Sequence, residues 1–229
     1  MRTTRLGENL IQLTRLHFVN AYLVRETDGF TLVDTTTPGA ADGLIAAAAA
    51  AGAPITRIAL THGHTDHIGS ADALKQRLGD GASVQIGELD ARILAGERVV
   101  EGKLPGSWGK LETIPDVRLA PGERVGSLEV VASPGHTPGH VAFLDTRDGT
   151  LIAGDVFTAY GRVAVSSHFY ARFPLAYPAT WDRAKDIESA RALAALDPAM
   201  LVVGHGPATR EPKAAMASAI ERAARKAGA

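Results

Sequence analysis

The predicted fold and chemistry of this chain depend on residues 61–69, which read Thr61-His62-Gly63-His64-Thr65-Asp66-His67-Ile68-Gly69. Four side chains of the metal-binding type occur within six positions of this run: His62, His64, Asp66 and His67. Imidazole and carboxylate groups bind borderline divalent metals such as zinc. Burying such polar groups without partners costs roughly 2–7 kcal/mol each, so a metal site is the simplest explanation for the cluster.

The flanking segments place the histidines on a loop between a strand and a helix. Residues 56–60 form a short apolar segment of β type, and 70–78 carry leucines at helical spacing, Leu74 and Leu78. Gly63 and Gly69 allow the tight backbone that such a loop needs. The cluster therefore lies at the carboxyl end of a strand, where open α/β sheets commonly place ligand sites.

Composition predicts an ordinary globular protein. The 229 residues, 45% hydrophobic and 21% charged, suit one domain spanning 1–229. A net charge of −1 gives no argument for a nucleic-acid or membrane partner. The absence of cysteine leaves His, Asp and Glu as the possible metal ligands. Without an apolar leader or a long apolar run, we expect a cytoplasmic monomer or homodimer that acts on a small molecule.

Hydrophobic patterning predicts strands and helices in both halves of the chain. The expected strands span 9–14, 18–25, 30–34, 56–60, 83–86, 117–119, 128–132, 140–145, 150–154 and 200–203. The expected helices span about 39–51, 70–78, 88–95, 178–196 and 214–226, with Thr180 or Asp182 as the cap of the fourth. Residues 97–115 are interpreted as a loop or lid. We therefore predict an α/β fold, a four-layered αββα sandwich of two mixed β-sheets with outer helices.

Four further residues repeat the pattern of an apolar strand followed by a polar group. His136 lies in a loop rich in proline and glycine after one strand, and Asp155 follows another directly. His205 stands between two glycines after a third strand, and Asp34 follows a fourth. These strand ends supply candidate ligands for the same site as residues 62–67.

Taken together, the motifs resemble those of the metallo-β-lactamase-fold hydrolases over most of the chain, from Asp34 to His205. The resemblance implies two metal sites: His62, His64 and His136 for the first metal, Asp66, His67 and His205 for the second, and Asp155 bridging both. It implies that Asp34 supports the ligands without binding metal.

Three protein ligands for each metal and one shared carboxylate leave each metal an open position. An open position indicates a catalytic site, because structural zinc sites are closed by protein ligands. We expect two divalent metal ions, zinc first, with manganese, iron or cobalt as alternatives. A hydroxide held between them would attack a carbonyl carbon, and Asp66 would orient the hydroxide or shuttle its proton. The expected substrate is an ester, thioester or lactone.

Seven of the twelve aromatic residues fall within 156–181, directly after Asp155. This segment forms either an apolar wall of a substrate pocket or a local aromatic core under a long loop. The candidate pocket residues are Phe157, Tyr160, His168, Phe169 and Tyr170. His17 and His140 lack ligand spacing and are interpreted as ordinary strand residues.

Several activities remain open within this resemblance. Glyoxalase II-type thioesterases share the full ligand set, although their long form has an added C-terminal domain and only 24 residues follow His205. N-acyl homoserine lactonases usually carry a tyrosine three positions after the bridging aspartate, where this chain has Thr158. The alternatives are an oxidoreductase similar to mononuclear-iron persulfide dioxygenases and a promiscuous β-lactam hydrolase.

Overall fold

Two mixed β-sheets form the framework of the protein, one in each of two structural units. The computed structural model describes residues 1–227. The first unit comprises Met1–Glu97 and Trp108–Leu119, and the second comprises Arg98–Ser107 and the chain from Ala120 onward. A single domain spanning 1–229 stays a prediction.

The first unit contains a seven-stranded sheet whose strands follow the order of the chain. They are β1 (Arg2–Arg5), β2 (Leu10–Arg15), β3 (Val19–Glu26), β4 (Gly29–Val33), β5 (Ile55–Leu60), β6 (Ser83–Gly87) and β7 (Val117–Leu119). Strands β1 to β4 pair antiparallel through short turns, whereas β4 to β7 pair parallel. Parallel neighbours need long crossovers, and here these contain α1 (Ala41–Ala50), α2 (Thr65–Ile68), α3 (Ala71–Leu78), a 3-10 turn (Gly79–Gly81) and α4 (Glu88–Leu94).

The core of the first unit joins its helices to its sheet. Leu44 of α1 and Leu74 of α3 are fully buried in one cluster with Leu32, Ile58 and Leu60 of the strands. Alanine fills much of α1, and its small side chain lets the helix pack closely. Burying one such aliphatic side chain stabilises the fold by about 1.5–3 kcal/mol, so this cluster holds β5 and the loop that follows it.

The second unit contains a six-stranded sheet in the order β15-β14-β11-β10-β9-β8 and a separate two-stranded ribbon, β12-β13. The strands are β8 (Arg124–Val125), β9 (Leu128–Ala132), β10 (Val141–Asp145), β11 (Thr150–Ile152), β12 (Phe157–Thr158), β13 (Ala164–Val165), β14 (Met200–Val202) and β15 (Thr209–Arg210). Its helices are α5 (Ala176–Ala179), α6 (Arg183–Ala195) and α7 (Lys213–Ala227). Within residues 1–227, no helix combines the length and the apolar character that crossing a membrane requires.

The predicted fold class is confirmed in its two mixed sheets with helices, and the elements differ in detail. Very short strands, such as β8 and β15, were not predicted because two residues carry no periodicity. The predicted helix over 178–196 is two helices, since Thr180 has an extended backbone (φ −80°, ψ 123°). Asp182 caps the second one by accepting from the backbone N–H groups of Ala184 and Lys185.

We expect Ile58→Ala to lower the free energy of unfolding by roughly 2–5 kcal/mol, because the truncated side chain leaves a cavity in the core. Ile58 is fully buried, whereas Ile114 in the same unit is 83% exposed. Ile114→Ala is therefore the matched control and should have little effect. Urea denaturation followed by circular dichroism measures both, and equal losses would contradict the assigned core.

Candidate metal centre

Three buried imidazoles lie together beyond the carboxyl end of β5. The ring centroids of His62 and His64 are 4.8 Å apart, and those of His62 and His67 are 4.1 Å apart. The one-turn helix α2 brings His64 and His67 to the same side, since the N–H of His67 donates to the carbonyl of His64 at 2.9 Å. The carboxylate of Asp66 is 34% exposed and lies 3.9 Å from Nε2 of His67. The first unit thus gathers four of the predicted ligands.

Asp34 orients this cluster. Its backbone is left-handed (φ 60°), and its buried carboxylate accepts from the N–H of Thr61 at 2.8 Å and from the Thr61 hydroxyl at 2.9 Å. Nδ1 of His67 lies 2.8 Å from Oδ2 of Asp34. Because a carboxylate only accepts, Nδ1 carries the ring proton and Nε2 carries the lone pair. This is the imidazole form that binds a metal.

The backbone around Gly63 is held by two residues distant in the chain. Its N–H donates to Asp90 at 2.9 Å, and its carbonyl accepts from Gly109 at 3.1 Å. A Cβ atom at Gly63 would lie 2.5 Å from the ring of Trp108, so only glycine fits. The ring of Trp108 also contacts His64, with centroids 5.4 Å apart. This part of the predicted 97–115 loop therefore packs against the histidine loop.

In the second unit, the Asp155 carboxylate lies between two imidazoles. Oδ2 of Asp155 is 3.1 Å from Nε2 of His205 and 3.6 Å from Nε2 of His136. All three side chains are buried. Strands β11 and β14 are parallel neighbours, so the residues after them, Asp155 and His205, emerge at one edge of the sheet. The second unit gathers the other three predicted ligands.

Thr180, which the sequence suggested as a helix cap, instead contacts a predicted ligand. Its hydroxyl donates to the carbonyl of Ala176 at 2.9 Å, so its oxygen accepts from Nδ1 of His136 at 3.1 Å. The proton on Nδ1 leaves the lone pair of His136 on Nε2, the nitrogen that faces Asp155. Both His67 and His136 therefore fit a divalent metal through Nε2.

His140 is not the ordinary strand residue that its spacing suggested. It is buried just before β10, and its Nε2 accepts from the backbone N–H of Asp155 at 3.1 Å. Its Nδ1 lies 2.8 Å from the hydroxyl of Ser133. His140 thereby positions the backbone of a predicted ligand. Because His140 and Asp155 are fifteen positions apart in the chain, no local sequence pattern indicated this contact.

The five candidate pocket residues divide between the core and the surface of the second unit. Phe157 is fully buried in the apolar core, as the alternative interpretation of an aromatic core expected. Tyr160 stacks on Phe173 with ring centroids 5.2 Å apart, and Phe173 lies 4.6 Å from the ring of His205. The remaining three, His168, Phe169 and Tyr170, line surface cavities.

A buried carboxylic acid supports the loop that carries His136. Asp186 of α6 is fully buried, and its Oδ2 accepts from the N–H of Ser167 at 2.8 Å. Gly135 packs so closely on the backbone of Asp186 that no side chain fits there. The pKa of Asp186 is raised to about 8, chiefly by burial and to a smaller extent by the negative charges of Asp155 and Asp182, while hydrogen bonding from Ser167 opposes the rise. The acid is therefore neutral at pH 7.

Comparison with known proteins agrees with this geometry. The model of the Metallo-beta-lactamase superfamily matches residues 14–205. An uncharacterized protein of Bacillus subtilis (strain 168), YobT, is 44% identical over 211 residues, or 90% of each chain. A hydroxyacylglutathione hydrolase of Acidiphilium cryptum (strain JF-5) is 32% identical over 90% of this chain and 71% of its own length. Other hydroxyacylglutathione hydrolases are matched over only about half of their length.

Among solved structures, TTHA1623 in a di-iron-bound form is 28% identical and superimposes with a TM-score of 0.65. The superposition covers 88% of this chain and 94% of that one. These likenesses confirm the predicted α/β sandwich with two mixed sheets. They also support metal binding by the His/Asp cluster, which is typical of this family.

We expect Asp34→Asn to weaken metal binding by roughly 10–100-fold, the usual effect of losing a carboxylate that orients a histidine ligand. Asparagine tolerates the left-handed backbone at this position, so the fold should persist. The measurement is a competition titration with a metal chelator. Asp28→Asn, which removes an exposed carboxylate paired with Arg57, is the control. Unchanged affinity in Asp34→Asn would exclude an orienting role.

We expect the contribution of Asp186 to the free energy of unfolding to fall as the pH rises from about 4 to about 8. The folded protein keeps this proton, with a pKa of about 8, whereas the unfolded chain loses it near pH 4. Asp186→Asn removes that part of the pH dependence.

Urea titrations of metal-free protein at pH 5 and pH 8 measure the difference. Glu188→Gln, an exposed change on the same helix, should show the slope of the unsubstituted protein. An Asp186→Asn variant with that same slope would contradict the neutral acid.

Proposed function

The chain belongs to the metallo-beta-lactamase superfamily, and on that premise we propose that it is a dinuclear-metal hydrolase acting on an ester, thioester or lactone carbonyl. The observation that carries the proposal is that six of the seven candidate ligands are buried imidazoles or carboxylates at strand ends, three in the first unit together with partly exposed Asp66 and three in the second unit. The relative named as a hydroxyacylglutathione hydrolase favours a thioester among these substrates.

The ligand assignment follows the family pattern. The first metal would be held by His62, His64 and His136, the second by Asp66, His67 and His205, and Asp155 would join them. Zinc is our first choice, and the di-iron form of TTHA1623 supports iron as the main alternative. Two bound metals would supply Lewis acidity for activating water and for polarising a carbonyl oxygen.

The protein's own groups set up this chemistry. Asp34 and Thr180 hold His67 and His136 with the Nε2 lone pairs available as ligands. Asp66 keeps a partly exposed carboxylate, so solvent can reach it, and we assign it the transfer of a proton during the reaction. His140 holds the backbone of Asp155. The contacts of Asp34, Thr180 and His140 fix the positions of the groups they touch, and fixed groups reduce the reorganisation that catalysis requires.

The test combines a substrate screen with metal analysis. Purified protein is assayed against thioesters, lactones, aryl esters and β-lactams while bound metals are quantified. We expect two metals per chain and hydrolysis of at least one carbonyl substrate, lost after metal removal and restored by adding metal. His62→Ala and Asp155→Asn should lower both the metal content and kcat/KM, the latter by roughly 10³-fold or more.

His17→Asn provides the control because His17 is exposed, has a left-handed backbone and lies outside the ligand set. It should retain metal and activity. One iron per chain with oxidation of a persulfide would favour the dioxygenase-like alternative, and activity confined to β-lactams would favour the lactamase alternative. Full hydrolysis by metal-free protein would refute the proposal.

A further inference from the structure

A cavity of about 590 Å³ in the second unit is lined by four cationic side chains. Arg162 lies in the loop between β12 and β13, and Arg222, Arg225 and Lys226 lie on the last two turns of α7. The other lining residues are His168, Phe169, Tyr170 and Ala171. Over the described part of the chain, residues 1–227, neither aspartate nor glutamate lines this cavity.

The cations in this cavity are largely uncompensated by carboxylates. Arg222 donates to the hydroxyl of Ser218 at 2.6 Å and to the carbonyl of Val163 at 3.0 Å, both neutral acceptors. Its Nε atom is buried and has no hydrogen-bond partner among residues 1–227. Of the four, Arg225 forms an ion pair with the carboxylate of Glu221 at 3.6 Å, and both groups of that pair are exposed.

The cavity therefore has a positive potential, which contributes to lowering the pKa of two groups that line it. The pKa of Arg222 is lowered by burial and then by Arg162 and Arg225, against a smaller raising influence of Tyr170 and Glu221. The pKa of His168 is likewise lowered by burial and then by Lys226, Arg162 and Arg222. Like charges this close oppose one another unless an anion lies between them.

The geometry points to a binding site for the phosphate or carboxylate group of a small organic anion, held by Arg162, Arg222 and Lys226. Arginine forks match both kinds of oxyanion, and a lysine ammonium adds a point charge. Nothing in the proposed hydrolytic chemistry requires these residues, so the site stands independently of it.

The aromatic surroundings favour an organic anion over a bare inorganic ion. Phe169 is 54% exposed, a large apolar surface at the rim of the cavity. The guanidinium of Arg162 stacks on Tyr170, 4.6 Å from the ring centroid. A second cavity of about 540 Å³ shares His168, Phe169 and Lys226 and adds Ser167, whose hydroxyl is buried without a partner among residues 1–227. This space suits the body of a ligand whose acidic group binds the cations.

Calorimetric titration of the full chain at low salt tests the site, with pyrophosphate and citrate as separate probes. At least one probe should bind, and raising the salt concentration should weaken the binding. The double variant Arg162→Gln/Lys226→Gln removes two exposed charges without touching the core, and should bind about tenfold more weakly, or about 1.4 kcal/mol. Lys213→Gln, on the same helix but paired with Asp197, is the matched control.

The two probes also distinguish the two chemistries. Tighter binding of pyrophosphate would identify a phosphate-bearing ligand, and tighter binding of citrate would identify a carboxylate-bearing one. Resonances of His168 followed by NMR should shift on binding, because its ring lines the cavity. Absence of binding by both probes, or equal losses in the double variant and in Lys213→Gln, would overturn the proposal. Because pyrophosphate and citrate chelate divalent metals, the titrations use the metal-free form of the full chain, and the result is then independent of hydrolysis.

Discussion

The hydrogen bond between the His67 imidazole and the Asp34 carboxylate is the contact on which the histidine cluster of the first unit depends. It joins the end of β4 to α2, and the same carboxylate also accepts from Thr61 at the end of β5. One buried acid thus connects two neighbouring strands and the short helix after them. Its left-handed backbone turns the carboxylate toward these donors. Such strain persists only where surrounding contacts hold it, and it commonly accompanies functional sites.

The second unit reaches a similar result with different groups. Asp155 is placed by the backbone of β11 and by the ring of His140, while His136 is oriented by Thr180. In neither unit does a predicted ligand depend on its strand alone. Each loop is held by a polar contact from elsewhere in its own unit, because a short loop carries too few contacts of its own to hold a side chain rigidly. Such preorganisation is what metal sites require of their supporting residues.

The sequence predicted those parts of the candidate site whose residues lie close together in the chain. Dense imidazoles after an apolar strand, as in 61–69, can be recognised without a structure because both signals lie within a few residues. Thr180 is 44 positions from His136, and Trp108 is 44 positions from His64. Their roles depend on how distant loops pack, which one sequence does not reveal. The break between α5 and α6 was missed for a similar reason, because helical spacing in the sequence continues past Thr180 although its backbone is extended.

Residues of the segment 156–181 contribute to the core of the second unit, to the surroundings of His205 and to the cationic cavity. Phe157 belongs to the core, Tyr160 stacks on Phe173 beside His205, and His168 and Tyr170 face a cationic cavity. Tyr170 also donates to the carbonyl of Tyr160 at 2.5 Å. The cavity and the proposed metal ligand His205 are therefore connected through packed neighbours. A substitution at the cavity rim could change what the protein binds without altering a metal ligand. Under the proposed function, specificity would reside in this segment, and the chemistry would depend on the residues at the strand ends.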